Sequence, residues 1–85
     1  MKLEFSRQAL DDYARLPDPI QQRADLAFDR LAQNLSHPSL RVKKLKGWKG
    51  VWEARISHQY RMTFRIVGET CLIRRIGPHD IEKTP

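Results

Sequence analysis

Between residues 53 and 79 the sequence sets Glu53, Arg55, Arg61, Arg65 and Arg74 on an alternating background, with His79 just past the last apolar run. An arginine fork donates two parallel hydrogen bonds and never loses its charge, so a row of them suits phosphate. Lys43, Lys44, Lys46 and Lys49 come just before and add the sequence-independent attraction of a polyanion. The bland alternative is a solvated face whose arginines lie over apolar surface. The bordering lysines favour an anion site. Trp48, inside Leu45-Lys46-Gly47-Trp48-Lys49-Gly50, either stacks on a nucleobase or folds back to close the core edge. His79, followed by Asp80, is a candidate to trade protons near neutral pH, though a histidine in a tail is more often simply solvated. His58 reads as a turn residue and Tyr60 as structural. Cys71 reads as a small buried hydrophobe.

These residues need a scaffold, and the periodicity supplies one. Lys2 to Phe5 is a short strand. Ser6 caps a first helix carrying Leu10, Tyr13 and Ala14 inward, with Asp11 and Asp12 facing water. Pro17-Asp18-Pro19 ends that helix and starts the next, with Asp18 as cap, Pro19 in the first turn and Gln21 in capping-box position. Ile20, Ala24, Ala27, Phe28, Leu31 and Leu35 then recur at three and four, giving a helix stopped between Asn34 and Pro38. Beyond Pro38 the period becomes two. Strands are expected over 40–45, 51–56, 60–67 and 70–76, with Gly68-Glu69 as a tight turn and the tail irregular. A three-residue loop at Ser57-His58-Gln59 sets Arg55 opposite Arg61, Glu53 opposite Thr63 and Trp52 opposite Phe64. The next hairpin sets Thr63 opposite Arg74 and Arg61 opposite Ile76. Trp52, Ala54, Ile56, Tyr60, Met62, Phe64, Ile66 and Ile73 then share the core face. Glu53, Arg55, Arg61, Thr63, Arg65 and Arg74 share the open one. The expected fold is α+β: a strand and a helix hairpin on one face of a small antiparallel sheet.

Composition narrows the field. The chain has 85 residues and a net charge of +6. A chain this short buries roughly 64% of its unfolded surface, enough for one core and one domain, 1–85. The excess charge lies in the second half: residues 36–85 hold eleven basic and four acidic side chains, against five and six in residues 1–35. That skew points to a polyanion partner. The single cysteine excludes an internal disulfide and a cysteine-based zinc cluster. No Gly-rich phosphate loop, zinc spacing or Ser-His-Asp order is present, so no cofactor or metal is expected. No apolar run spans a membrane, and no signal-peptide stretch opens the chain, so a cytoplasmic protein is expected.

The run VWEARISHQYRMTFRI after an LKG loop, then CLIRRIGPHD, resembles the RelE/ParE superfamily of type II toxin–antitoxin toxins. The likeness covers nearly the whole chain. It implies that the protein is held inactive by a cognate antitoxin whose C-terminal segment wraps it, and that the complex represses its own operon by binding operator DNA. RelE-like members are mRNA endonucleases, most acting in the ribosomal A site. ParE-like members poison DNA gyrase. The nuclease chemistry needs no metal: a 2′-hydroxyl attacks the neighbouring phosphate, a base takes its proton, cations hold the charge and an acid protonates the leaving oxygen. Carried over by position, Arg61 of the Tyr-Arg pair and Arg55 clamp phosphate, His79 is the candidate acid or base, and Lys44 and Lys46 meet the RNA. Lys43, Lys49, Arg65, Arg74 and Trp48 extend that surface. Glu53 stands where RelE has a basic residue, either as a base or as a neutraliser of Arg55. The C-terminal tyrosine of RelE has no counterpart, the chain reading Ile81-Glu82-Lys83. The leading expectation is a ribosome-dependent mRNA endonuclease. A gyrase inhibitor would use the arginines without His79. A nucleic-acid-binding module would hold phosphate without cleaving it.

Overall fold

The computed structural model describes residues 1–85. Strand β1 (Lys2–Phe5) leads into helices α1 (Arg7–Ala14) and α2 (Asp18–Gln33). Strands β2 (Lys43–Lys44), β3 (Trp52–Arg55), β4 (Tyr60–Val67) and β5 (Thr70–Pro78) follow, and a 3₁₀ turn (His79–Lys83) is the last element. One five-stranded sheet runs β1-β5-β4-β3-β2. The fold is α+β as expected. The sheet is mixed rather than purely antiparallel, because β1 joins its edge parallel to β5.

Small residues let the helices close on the sheet: Ala9 and Ala24 are fully buried, and Ala27 nearly so, against Leu31, Met62, Phe64 and Ile73. Phe5 meets Phe28 edge to face, ring centroids 5.0 Å apart. Ser6 caps α1, its Oγ accepting from the Ala9 N–H at 3.0 Å. The β3–β4 register is as anticipated, with Arg55 opposite Arg61 and Glu53 opposite Thr63. Gly68 turns the last hairpin at φ 61°, a conformation that costs glycine little.

Five local expectations are corrected. Helix α2 begins at Asp18, with Pro17 at the cap position and no side-chain cap; Gln21 instead donates to the Tyr13 carbonyl at 2.9 Å. The strand expected over 40–45 shrinks to Lys43–Lys44, because Pro38–Leu40 forms a 3₁₀ turn and Arg41 sits at φ 47°. On α1 the buried residues are Ala9 and Asp12, with Leu16 buried just beyond its end, while Leu10 is 56% exposed. Asp12 therefore faces inward, not toward water. A bulge in β5 pairs Thr63 with Arg75 and Arg61 with Gly77, one residue beyond the expected register, while Phe64 still meets Ile73. Arg74 is the extra residue. Finally, the tail is ordered: β5 runs on through Gly77 and Pro78 before the 3₁₀ turn.

Candidate functional site

Alternation along β3 and β4 aims Glu53, Arg61 and Thr63 away from the helices. That face would be open to water, yet Glu53 is 3% exposed and Thr63 is fully buried. The cover is the C-terminal 3₁₀ turn, which packs against β4 and β5. His79 N–H donates to the Gln59 carbonyl at 2.9 Å. Ile81 is buried, and a Cβ on Gly77 would stand 2.8 Å from its Cγ2, so only glycine leaves room for it. Arg74 donates from Nε and Nη2 to the Pro85 carbonyl, both at 3.4 Å.

Under this cover lies a charged cluster. Glu53 Oε1 is 3.7 Å from Lys43 Nζ and 3.7 Å from Arg61 Nε. Lys43 Nζ also lies 3.9 Å from Glu82 Oε2, and His79 Nε2 lies 3.2 Å from that oxygen. Burial, with the Glu82 carboxylate beside it, pushes the Glu53 carboxyl up to about 7 against the opposing pull of Lys43 and Arg61. Burial favours the neutral acid, and a like charge adds to it. A carboxyl poised near neutral pH can accept and return a proton.

The structure gathers Glu53, Arg61, Lys43 and His79 and sets the other expected residues apart. Arg61 is partly spent on the fold: its Nη1 donates to the carbonyls of Ser57, His58 and Tyr60 at 2.6, 3.0 and 3.0 Å, which staples the β3–β4 loop. Arg55 forms no ion pair with Glu53, whose partners are Lys43 and Arg61; it donates to the Ser57 carbonyl at 3.3 Å with Nη2 3.1 Å from His58 Nδ1. Desolvation, then the guanidiniums of Arg41 and Arg61, lower its pKa. It lines a separate groove with Arg23, Arg30 and Arg41. Lys44 pairs with Trp52 on the helix side of the sheet, its Nζ 5.3 Å from the indole centroid. Lys46, Lys49 and Trp48 are exposed on the β2–β3 loop, with Trp48 at 44%. Arg65 reaches that loop, since a Cβ on Gly50 would stand 2.9 Å from its Nη1.

Sequence reasoning missed Glu82, Asp12 and Arg75. Arg75 Nε donates to Asp12 Oδ2 at 2.9 Å. Its Nη1 reaches the Thr84 carbonyl at 3.1 Å. Three signals stood in the sequence. Glu82 follows His79 by three residues, one helical turn. Asp12 falls between Ala9 and Leu16 in a 3–4 spacing. Arg74-Arg75 separates two apolar residues, Ile73 and Ile76, by an odd step that a regular strand cannot bury on one side.

Residues 3–82 match the family described as the ParE toxin of type II toxin–antitoxin systems, parDE. The chain belongs to this family. It falls within the RelE/ParE superfamily expected from its motifs. No curated protein matches the toxin in sequence. Solved structures match it in fold. The YoeB/ParE toxin from Agrobacterium tumefaciens is 21% identical with a TM-score of 0.78, over 93% of this chain and 99% of that one. YafQ from E. coli strain BL21(DE3) is 18% identical with a TM-score of 0.78, over 93% of each chain. A chain of the RelB-RelE antitoxin-toxin complex from Methanococcus jannaschii is 23% identical with a TM-score of 0.74, over 94% of each. The toxin has no helix long and apolar enough to cross a membrane, and no three His, Cys, Asp or Glu side chains are grouped to hold a metal ion.

Proposed function

We propose that this toxin is a metal-independent, ribosome-dependent mRNA endonuclease that halts translation. The observation that carries this reading is Glu53: a buried carboxyl held near pH 7 between the cations of Lys43 and Arg61. Cleavage by a 2′-hydroxyl needs a base of that poise and cations for the phosphorane charge. Glu53 takes the proton, Arg61 and Lys43 hold the phosphate, and His79, 63% exposed at its side chain, protonates the leaving oxygen. Lys46, Lys49, Arg65 and Trp48 guide the strand. Arg55, Arg74 and Lys44 sit outside this cluster and serve the fold or a wider contact. The working compartment is the cytoplasm, where ribosomes and mRNA are met.

A cognate antitoxin is the expected partner, with an acidic toxin-binding segment to match the +6 charge. Solved relatives include the RelB-RelE and DinJ-YafQ antitoxin–toxin complexes, which supports this. The antitoxin would carry the complex to operator DNA. The match to the ParE family favours a second reading, inhibition of DNA gyrase, in which His79 is dispensable.

Primer extension on a defined mRNA with programmed ribosomes separates the two. Wild-type protein is expected to cut at A-site codons only when ribosomes are present. Arg61→Ala, His79→Ala and Glu53→Gln are each expected to lose about 10²-fold or more in rate. Intact mRNA with wild-type protein, together with blocked supercoiling by gyrase, would replace the nuclease reading with the second one.

A further inference from the structure

Three side-chain oxygens are buried and make no hydrogen bond of good geometry: Glu53 Oε2, Thr63 Oγ1 and Glu82 Oε2, the last with His79 Nε2 3.2 Å away as an ion-pair contact. All three lie where the C-terminal 3₁₀ turn meets the sheet. Two ionised carboxylates cannot satisfy one another, because each only accepts. One proton between them changes this, since a protonated carboxyl donates. We propose that Glu53 and Glu82 share a single proton, and that this hydrogen bond is a latch that fastens the C-terminal turn over the catalytic face. Glu82 is thereby a positioning residue. That the covered face is catalytic rests on the nuclease reading, while the latch rests on the fold.

The charges on every side agree. Lys43 from β2 and Arg61 from β4 approach Glu53, while Lys43 and His79 approach Glu82. Lys43 and Arg61 stand 3.7–3.9 Å from the carboxylates, close enough to attract them but too far to supply the hydrogen bond the pair lacks. The hydrogen bond with Glu53 holds Glu82 below the usual carboxylate range, against burial and with help from His79, Lys43 and Arg61. Glu53, buried on the strand, keeps the proton and donates to Glu82. When Glu53 ionises, two like charges are left in one site, and the cheaper remedy is to move the element with fewer contacts. That element is the turn. Its departure uncovers Glu53 and Thr63 and leaves Glu53 in the ionised form a base requires. Thus the proton that closes the face is the one whose loss both opens and activates it.

The test uses the free full-length protein, without RNA or ribosomes. Side-chain carboxyl ¹³C shifts give the titrations, and amide hydrogen exchange at His79 and Thr84 reports whether the turn is closed. In wild-type protein one glutamate is expected to titrate at about 7. Protection of the turn should fall about tenfold per pH unit above that point once intrinsic exchange is divided out, as a one-proton linkage requires. In Glu82→Gln the amide donates to an ionised Glu53, so the titration near 7 should disappear. In Glu53→Gln the new amide donates to Glu82, so the turn should stay closed at every pH while circular dichroism shows an intact fold. The latch is overturned if both wild-type carboxyls titrate in the ordinary range, if the high titration survives Glu82→Gln, or if protection ignores it. It is equally overturned if Glu53→Gln opens the turn. A protein that passes these measurements but cuts no mRNA sinks the nuclease reading alone.

Discussion

Asp12 completes a strand edge that β1 leaves unfinished. β1 pairs with β5 from Lys2 opposite Thr70 and stops at Phe5 opposite Ile73. Ser6 Oγ then donates to the Arg74 carbonyl at 2.7 Å, and Asp12 Oδ2 accepts from the Ile76 N–H at 3.0 Å. Burial opposes ionisation of Asp12, but the bonds from Arg75, the Ile76 N–H and Gln8 together hold its carboxyl below the ordinary value of 3.8. Asp12→Ala strands a buried amide and a half-buried guanidinium, so it should destabilise the fold by about 2–4 kcal/mol in urea titrations. Asp12→Asn keeps an acceptor and should cost less. The sign with pH follows from linkage: a depressed carboxyl contributes stability above its unfolded pKa and loses it as pH falls through the folded one. The gap between wild type and Asp12→Asn should therefore be full at pH 6 and narrow progressively below about pH 4. Cys71 makes a simpler case. Burial pushes its thiol up to about 11, so labelling by a thiol reagent should follow global unfolding and no local opening.

At the level of elements, the C-terminal turn depends on a fit of one glycine to one isoleucine. Gly77 does not use the left-handed backbone region, so alanine there strains nothing but the space that Ile81 occupies. Gly77→Ala should lift the turn, lower hydrogen-exchange protection at His79 and Thr84, and cost about 1–3 kcal/mol in thermal unfolding. The β4–β5 hairpin should keep its protection. The contrast with the hairpin shows what the sequence could convey. Helix α2 was legible because its stripe from Ile20 to Leu31 repeats over about three turns, and each position confirms the others. The β3–β4 register was legible because only a three-residue loop separates apolar from charged side chains cleanly. The turn was not, because Ile81 is a lone apolar residue among polar ones and its partner, Gly77, carries no side chain to pattern. Helix α1 is short enough that two stripes fit it, and the structure buries the one through Ala9 and leaves Leu10 exposed. Of the site, the alternation placed Glu53 and Arg61 on one face. Alternation carries no information about what crosses over a face, so Glu82 and the burial of Glu53 came only with the tertiary structure.

For the molecule as a whole, the proposed nuclease function requires cations that meet RNA, and the +6 charge overstates how many are free to do so. Arg75 is committed to Asp12 and Thr84, Arg74 to Pro85, and much of Arg61 to the β3–β4 loop. Lys46 and Lys49 are exposed and form no ion pair within 4.0 Å; the salt bridges involve other cations. Counterion release depends on phosphates actually neutralised, not on formal charge. The affinity of the toxin for a single-stranded RNA should therefore fall with salt, and each loop lysine removed should reduce the slope of log K against log salt by about 0.7. Lys46→Ala and Lys49→Ala should do this without altering the urea midpoint. Arg75→Ala should do the reverse, lowering the midpoint and leaving the slope unchanged, because its charge is already neutralised by Asp12. Fluorescence anisotropy across a salt series measures the slope, and urea denaturation of the same samples measures the midpoint. An equal loss of slope in all three variants would mean that RNA reads the total charge of the molecule, and that the division between fold-holding and RNA-facing cations is wrong.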